Sequence, residues 1–233
     1  SHIAGHDALL VTPDGGQMVC LPDYPPQEQK QSVHACLTVS TDGQADGTVD
    51  SRHHLAFYEK NIPLLEMDNK KLMQKLASGI GCTQVSLSDI RLSENKQPLP
   101  SLACSYHMAC QYARHSAGRL FVPLNPFRKH TLPQQPNLPE SYVLSDTIDL
   151  KLPAGCTVEH LPAPVGESHT FGEFSSKAEV QAGRLRVCQH LLVRKGEYGP
   201  SARPAWEAFR QKVVQTCEEP LILLLHTGPA SVE

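Results

Sequence analysis

Three stretches of this sequence place an apolar side chain at every second position, and a period of two marks a half-buried β-strand. Over residues 33–40 the apolar members are Val33, Ala35, Leu37 and Val39. Over residues 101–112 they are Leu102, Cys104, Tyr106, Met108, Cys110 and Tyr112, with Ser105, His107 and Gln111 on the opposite parity. Over residues 145–152 they are Ile148, Leu150 and Leu152. Short turn-forming connections between such stretches favour antiparallel pairing.

The remaining segments fit that frame. Pro13-Asp14-Gly15-Gly16 turns between strands at 8–11 and 17–21, and Asp23-Tyr24-Pro25-Pro26 ends the hairpin because proline cannot donate to a ladder. Residues 41–47 turn the chain into a partner strand over 48–58, where Val49, Leu55 and Phe57 share one parity with His53. Further extended pieces fall at 85–87, 90–92, 119–122, 157–161, 172–180, 185–193 and 221–225. Two helical excursions interrupt the strands. Near 68–78, Asp68 is the N-cap, Leu65, Leu72, Met73 and Leu76 share a face, and Gly79 and Gly81 stop the helix. Over 204–217, Pro204 occupies the first turn and Trp206, Phe209, Val213 and Cys217 recur at helical spacing.

Two sheets of this kind bury their apolar faces against each other, so the expected fold is mainly β: an antiparallel β-sandwich with helical excursions near 68–78 and 204–217. Residues 1–30 read as N-terminal strands and connector, and 31–233 as the sandwich module. The segment 131–141, with prolines at 133, 136 and 139, is where that module divides if it is two units.

Composition enters through what it excludes. The 21 lysines and arginines are scattered and the net charge is −3, so no basic stripe offers a nucleic acid a track. The longest apolar run, residues 221–225, is far too short for a membrane span. Ser1-His2-Ile3-Ala4 has neither the basic start nor the apolar stretch of a signal peptide, and the chain reads as an excised or processed piece, with Ser1-His2 resembling a tag scar. Eight cysteines lack any Cys-x-x-Cys spacing. Cys36, Cys104, Cys110 and Cys188 lie in strand-like runs and read as small core residues with free thiols, one or two disulfides being the alternative.

No set of residues reads as a site. Cys104 and Cys110 with His107 would make a thiol nucleophile and its base, but strand parity turns His107 to the opposite face. His53-His54 with His34 suggests a metal cluster, yet adjacent strand residues face opposite ways and no carboxylate or thiol stands at a ligand interval, so these read as solvated histidines. His160, His169 and His190 offer no better set. Asp146 and Asp149 differ in parity, which separates them as a carboxylate pair. Gly172 between Phe171 and Phe174 reads as a tight strand entry with both rings in the core, and Trp206 as a packing residue. The expectation is therefore no catalytic, cofactor-binding or metal-binding residue in this chain, and no cofactor.

One pattern is more specific. Ser145-Asp146-Thr147-Ile148-Asp149-Leu150-Lys151-Leu152-Pro153-Ala154-Gly155 is followed by Val158-Glu159-His160-Leu161-Pro162 and Phe171-Gly172-Glu173-Phe174. Leu191-Leu192-Val193-Arg194-Lys195-Gly196-Glu197-Tyr198 and Trp206-Glu207-Ala208-Phe209-Arg210 come next. With Asp7-Ala8-Leu9-Leu10-Val11 and Gly118-Arg119-Leu120-Phe121-Val122-Pro123-Leu124-Asn125-Pro126-Phe127 upstream, these resemble the C-terminal β-rich region of bacterial, Bacteroides-type transglutaminase-like proteins. The resemblance implies an N-terminal β domain and a papain-like core with a Cys-His-Asp triad, both outside this chain. It also implies export to the periplasm or cell surface, with the catalytic core of the same polypeptide as the partner. The expected function is a non-catalytic accessory module. The alternative is an independent carbohydrate- or protein-binding sandwich that uses exposed aromatics, for which Tyr106 and Tyr112 are the candidates.

Overall fold

The computed structural model describes residues 7–21, 23–128 and 132–226. Ser1-His2 and the first residue of the 131–141 segment, Thr131, lie outside them. The N-terminal elements are β1 (Asp7–Thr12), β2 (Gly15–Cys20), β3 (Lys30–Val39), β4 (Gln44–His54), α1 (Ala56–Asn61) and α2 (Asn69–Ser78). β5 (Thr83–Asn95), β6 (Ser101–Gln111), β7 (Arg114–Ser116), β8 (Arg119–Val122), β9 (Asn137–Leu138) and β10 (Tyr142–Lys151) follow. β11 (Cys156–His160), β12 (Val165–His169), β13 (Gly172–Gln181), β14 (Arg184–Val193), β15 (Gly196–Glu197), α3 (Arg203–Glu218) and β16 (Leu221–Leu225) complete the chain.

The fold is mainly β and sandwich-like. One sheet has eight strands in the order β12-β13-β14-β10-β3-β4-β6-β5, and a second has four, β11-β16-β8-β7. Two two-stranded ribbons, β1-β2 and β9-β15, stand apart. The apolar parities all turn to one face of the large sheet. There Val33, Leu37, Val49, Met108, Ile148 and Val187 form one core with Leu120, Val122, Leu221 and Leu223 of the small sheet. At one end α3 covers that same face, packing Trp206, Phe209 and Val213 on Phe171, Phe174 and Leu191. At the other end Leu64 and Leu72 pack on Leu102. The other parity stays exposed or half-exposed along β3, β6 and most of β10 and β14, the paired Val143 and Leu192 being buried, so the large sheet presents a mainly polar face to solvent.

Several local expectations hold for the reasons given. The side chain of Asp68 caps α2 by accepting the Lys71 N–H at 2.9 Å. Pro204 lies in the first turn of α3. The β13–β14 turn has positive φ at both Ala182 (49°) and Gly183 (71°), the requirement of a tight two-residue hairpin. Phe171 and Phe174 are buried, and Gly172 lies where a Cβ would meet the Leu192 carbonyl oxygen at 2.2 Å, so only glycine lets β13 approach β14 there.

Other expectations are corrected. The sheet is not wholly antiparallel: β3 and β10 pair parallel, from Val143↔Lys30 to Lys151↔Thr38. Nothing short joins these two strands, so no hairpin dictates their direction. The strand expected over 48–58 ends at His54. Leu55 takes φ 51° and donates its N–H to the Pro100 carbonyl, and α1 then leads off the sheet. The pieces at 85–87 and 90–92 are one strand, β5, with register irregularities between Thr83 and Ser86 and between Ser88 and Arg91. β7, β9, β12 and β15 gave no signal, being short or mixed in composition. Of the apolar face expected near 68–78, Leu72 is buried and Leu76 half-buried, but Leu65 and Met73 are exposed, and Leu64 points inward in place of Leu65. Cys36 and Cys188 are exposed thiols of the polar face, while Cys104 and Cys110 are core. A short apolar run does not by itself say which parity is buried.

Candidate functional site

Strand parity disposes of the thiol-nucleophile set as expected. Cys104 and Cys110 point into the core, and His107 lies on the outer face with Nε2 3.3 Å from the Asp46 carboxylate. Burial pushes the Cys104 thiol up to about 11, the opposite of activation. Asp146 and Asp149 also separate, Asp146 inward and Asp149 outward. Tyr106 and Tyr112 are buried, and so is Trp206, so none offers a ring to a ligand at the surface. Among the other histidines, His160 pairs with Glu219 at 2.8 Å and His169 with Glu167 at 3.4 Å.

His53, expected to be solvated, is buried on the inward face of β4. Ser51 Oγ lies 3.2 Å from its Nε2 and Asn61 Nδ2 lies 3.4 Å from its Nδ1, which superficially resembles a nucleophile, a base and an orienting group. The hydrogens run the wrong way. Asn61 Nδ2 donates to the Phe57 carbonyl at 2.7 Å, which fixes the amide and leaves Nδ1 of His53 to accept. The proton then sits on Nε2 and points at Ser51, so the ring cannot take a proton from that hydroxyl. Burial, with Arg128 and His54 adding positive charge nearby, lowers the His53 pKa to about 4.

A pH dependence follows. Because the folded pKa lies below the unfolded one, the stability tied to neutral His53 is complete above about 6.5 and is lost as pH falls towards 4. The full loss is about 3 kcal/mol at the acid end. Urea unfolding at pH 7, 5.5 and 4 should show the wild type losing about that much more than His53→Gln. Equal losses in the two proteins would refute it.

The polar face carries the one group, among the described residues, of three His, Cys, Asp or Glu donors close enough to share an ion. His34 and Cys36, two apart on β3, face outward together, and the parallel ladder sets Asp149 of β10 directly beside Cys36. His34 Nε2 lies 3.2 Å from Asp149 Oδ2 and 3.6 Å from Cys36 Sγ. Arg186, opposite Asp149 on β14, donates from Nε to Oδ1 at 2.7 Å and from Nη2 to Oδ2 at 3.1 Å. The group lines an open depression of about 710 Å³. Hydrogen bonding from Arg186, then from His34, holds the Asp149 carboxyl below its usual range. Desolvation, then the negative charges of Asp149 and Asp50, push the Cys36 thiol up.

This is not a Cys-His-Asp relay. A relay uses the two imidazole nitrogens separately, one towards the nucleophile and one towards the acid. Here the same nitrogen, Nε2, faces both neighbours. What the arrangement offers is three donor atoms converging on one point. Sequence reasoning missed it because Asp149 is 115 residues from His34, and only the parallel pairing joins them. The signal available was His34-x-Cys36 on the polar parity of a strand.

Against known proteins, residues 119–223 match the model of a family described as a domain of unknown function with a solved structure, DUF3858. That span takes in β8 to α3 and the start of β16, under half of the chain, and includes Asp149 but neither His34 nor Cys36. No curated protein and no solved structure matches the chain significantly. Among the described residues, no helix is long and apolar enough to cross a membrane.

Proposed function

We propose that this chain is a non-catalytic accessory module of a larger, exported transglutaminase-like polypeptide, and that it docks against the catalytic core of that polypeptide. The observation that carries the reading is the β1–β2 ribbon. Pairing of Leu9 with Met18 and of Val11 with Gly16 places three apolar side chains on one side of the ribbon. Leu9, Val11 and Met18 are 62%, 81% and 64% exposed. An isolated two-stranded ribbon is marginal in water, and clustered exposed apolar side chains mark an interaction surface. The resemblance implies a catalytic core upstream in the polypeptide, and β1–β2 is the first described element of this chain. The candidate nucleophiles and bases of the chain, held apart by parity or sharing one nitrogen, fit a module whose chemistry lies elsewhere.

Amide hydrogen exchange tests this in the full-length polypeptide and in this chain alone. Residues 8–19 are expected to exchange at least tenfold more slowly in the full-length protein, where the core covers the ribbon. Equal exchange in both, or an upstream reading frame that encodes no Cys-His-Asp core, overturns the proposal.

A further inference from the structure

We propose that His34, Cys36 and Asp149 form a three-ligand site for a divalent cation of borderline softness, zinc above all, on the open face of the eight-stranded sheet. The donor set is one imidazole nitrogen, one sulfur and one carboxylate oxygen, all within 4.8 Å of one another. Mixed nitrogen, sulfur and oxygen donors suit zinc better than the all-oxygen preference of magnesium or calcium.

The separations fit as well. A tetrahedral zinc with ordinary bond lengths sets neighbouring nitrogen and oxygen donors about 3.4 Å apart, and nitrogen and sulfur about 3.6 Å apart. The protein holds the corresponding atoms at 3.2 Å and 3.6 Å, and the Cys36 sulfur lies within 4.8 Å of the carboxylate. Little rearrangement is then needed, because two ligands share one strand and the third is fixed by ladder register.

Internal hydrogen bonding cannot join all three groups at once, although each is open to solvent. If Nε2 of His34 carries a proton, it donates to Asp149 and cannot accept from the Cys36 thiol. If Nε2 is bare, it accepts from the thiol but then faces the carboxylate as acceptor against acceptor. A cation at the centre satisfies all three donors, with the thiol releasing its proton to solvent on binding. Arg186 fits as the outer partner of the carboxylate: each carboxylate oxygen accepts twice, so the guanidinium orients Asp149 while Oδ2 keeps a lone pair for the ion. The fourth position opens to solvent, since the His34 side chain is 52% exposed.

Titration of the EDTA-treated chain with Co2+, followed by displacement with Zn2+, reads the site directly. One Co2+ per chain is expected, with a thiolate-to-cobalt charge-transfer band that Zn2+ abolishes. Cys36→Ser should lose the band, and His34→Gln and Asp149→Asn should each weaken binding at least tenfold. Cys188→Ser, which removes the exposed thiol of the neighbouring strand, should keep it. All four positions are on the polar face, and far-UV circular dichroism confirms that each variant is folded. Absence of the band in the wild type, its survival in Cys36→Ser, its loss in Cys188→Ser, or unchanged affinity in both other variants overturns the proposal.

Discussion

Replacing Asp146 by Asn is expected to destabilise the fold by about 3–5 kcal/mol, the range for stranding one member of a buried ion pair. For a chain of this length that lowers Tm by roughly 10 °C. Asp146 is 3% exposed and collects four donors. Arg128 reaches it from both Nε and Nη2, Asn125 Nδ2 donates at 2.9 Å, and the Val33 N–H donates at 3.0 Å. Asn125 also donates to Gln189 at 3.0 Å, and Gln189 to Ser176 at 3.2 Å, so the network crosses β3, β10, β14 and β13 and ties the segment after β8 to them. Asn at 146 keeps one acceptor oxygen and turns an NH2 group towards donors. The guanidinium of Arg128, 8% exposed, is left charged without its partner. The double variant Arg128→Met with Asp146→Asn should recover part of the loss, because no uncompensated charge remains. The single tryptophan makes fluorescence a convenient reporter of unfolding. A cost under about 1 kcal/mol, or strict additivity of the two substitutions, would show that the pair carries no special burden.

That network marks where sequence reading stops. Parity alone placed Asp146 and Asp149 on opposite faces, and the same logic sent Cys104 inward and His107 outward. Periodicity reports each strand's own two faces, so it carries over directly to the fold. It says nothing about which strands become neighbours. Asp146 meets Val33, and Asp149 meets Cys36, only because β3 and β10 pair in parallel. Arg128 and Asn125 sit in a segment without periodicity, and nothing local announces that they turn inward. His53 illustrates the same limit: its parity with Val49 was legible, but a histidine on the buried parity was read as polar and therefore solvated. Asn61, which meets its ring, comes from a helix whose first three residues the alternation over 48–58 assigns to strand.

Trp206→Ala should cost about 3–5 kcal/mol, the usual toll for removing a large aromatic from a packed core. The indole is fully buried and anchors α3 to the end of the large sheet. Its ring meets Phe171 edge-on at 5.4 Å and Phe209 at 6.0 Å, and Nε1–H donates to the Pro133 carbonyl at 3.0 Å. Two contributions are therefore separable. Trp206→Phe keeps an aromatic ring but gives up the hydrogen bond to the carbonyl of the exposed Pro133, a cost of about 0.5–1.5 kcal/mol. Trp206→Ala loses the packing as well and leaves a cavity beside Phe171 and Phe209. Far-UV circular dichroism during thermal unfolding measures both, since each variant lacks the fluorophore. The order expected is wild type, then Trp206→Phe, then Trp206→Ala. Phe and Ala variants of equal stability would mean that the hydrogen bond, and not the packing of α3, is what the indole supplies. Because β16 enters the small sheet directly after α3, the alanine variant should also speed amide exchange in Leu221–Leu225, coupling the helix to the second layer of the sandwich.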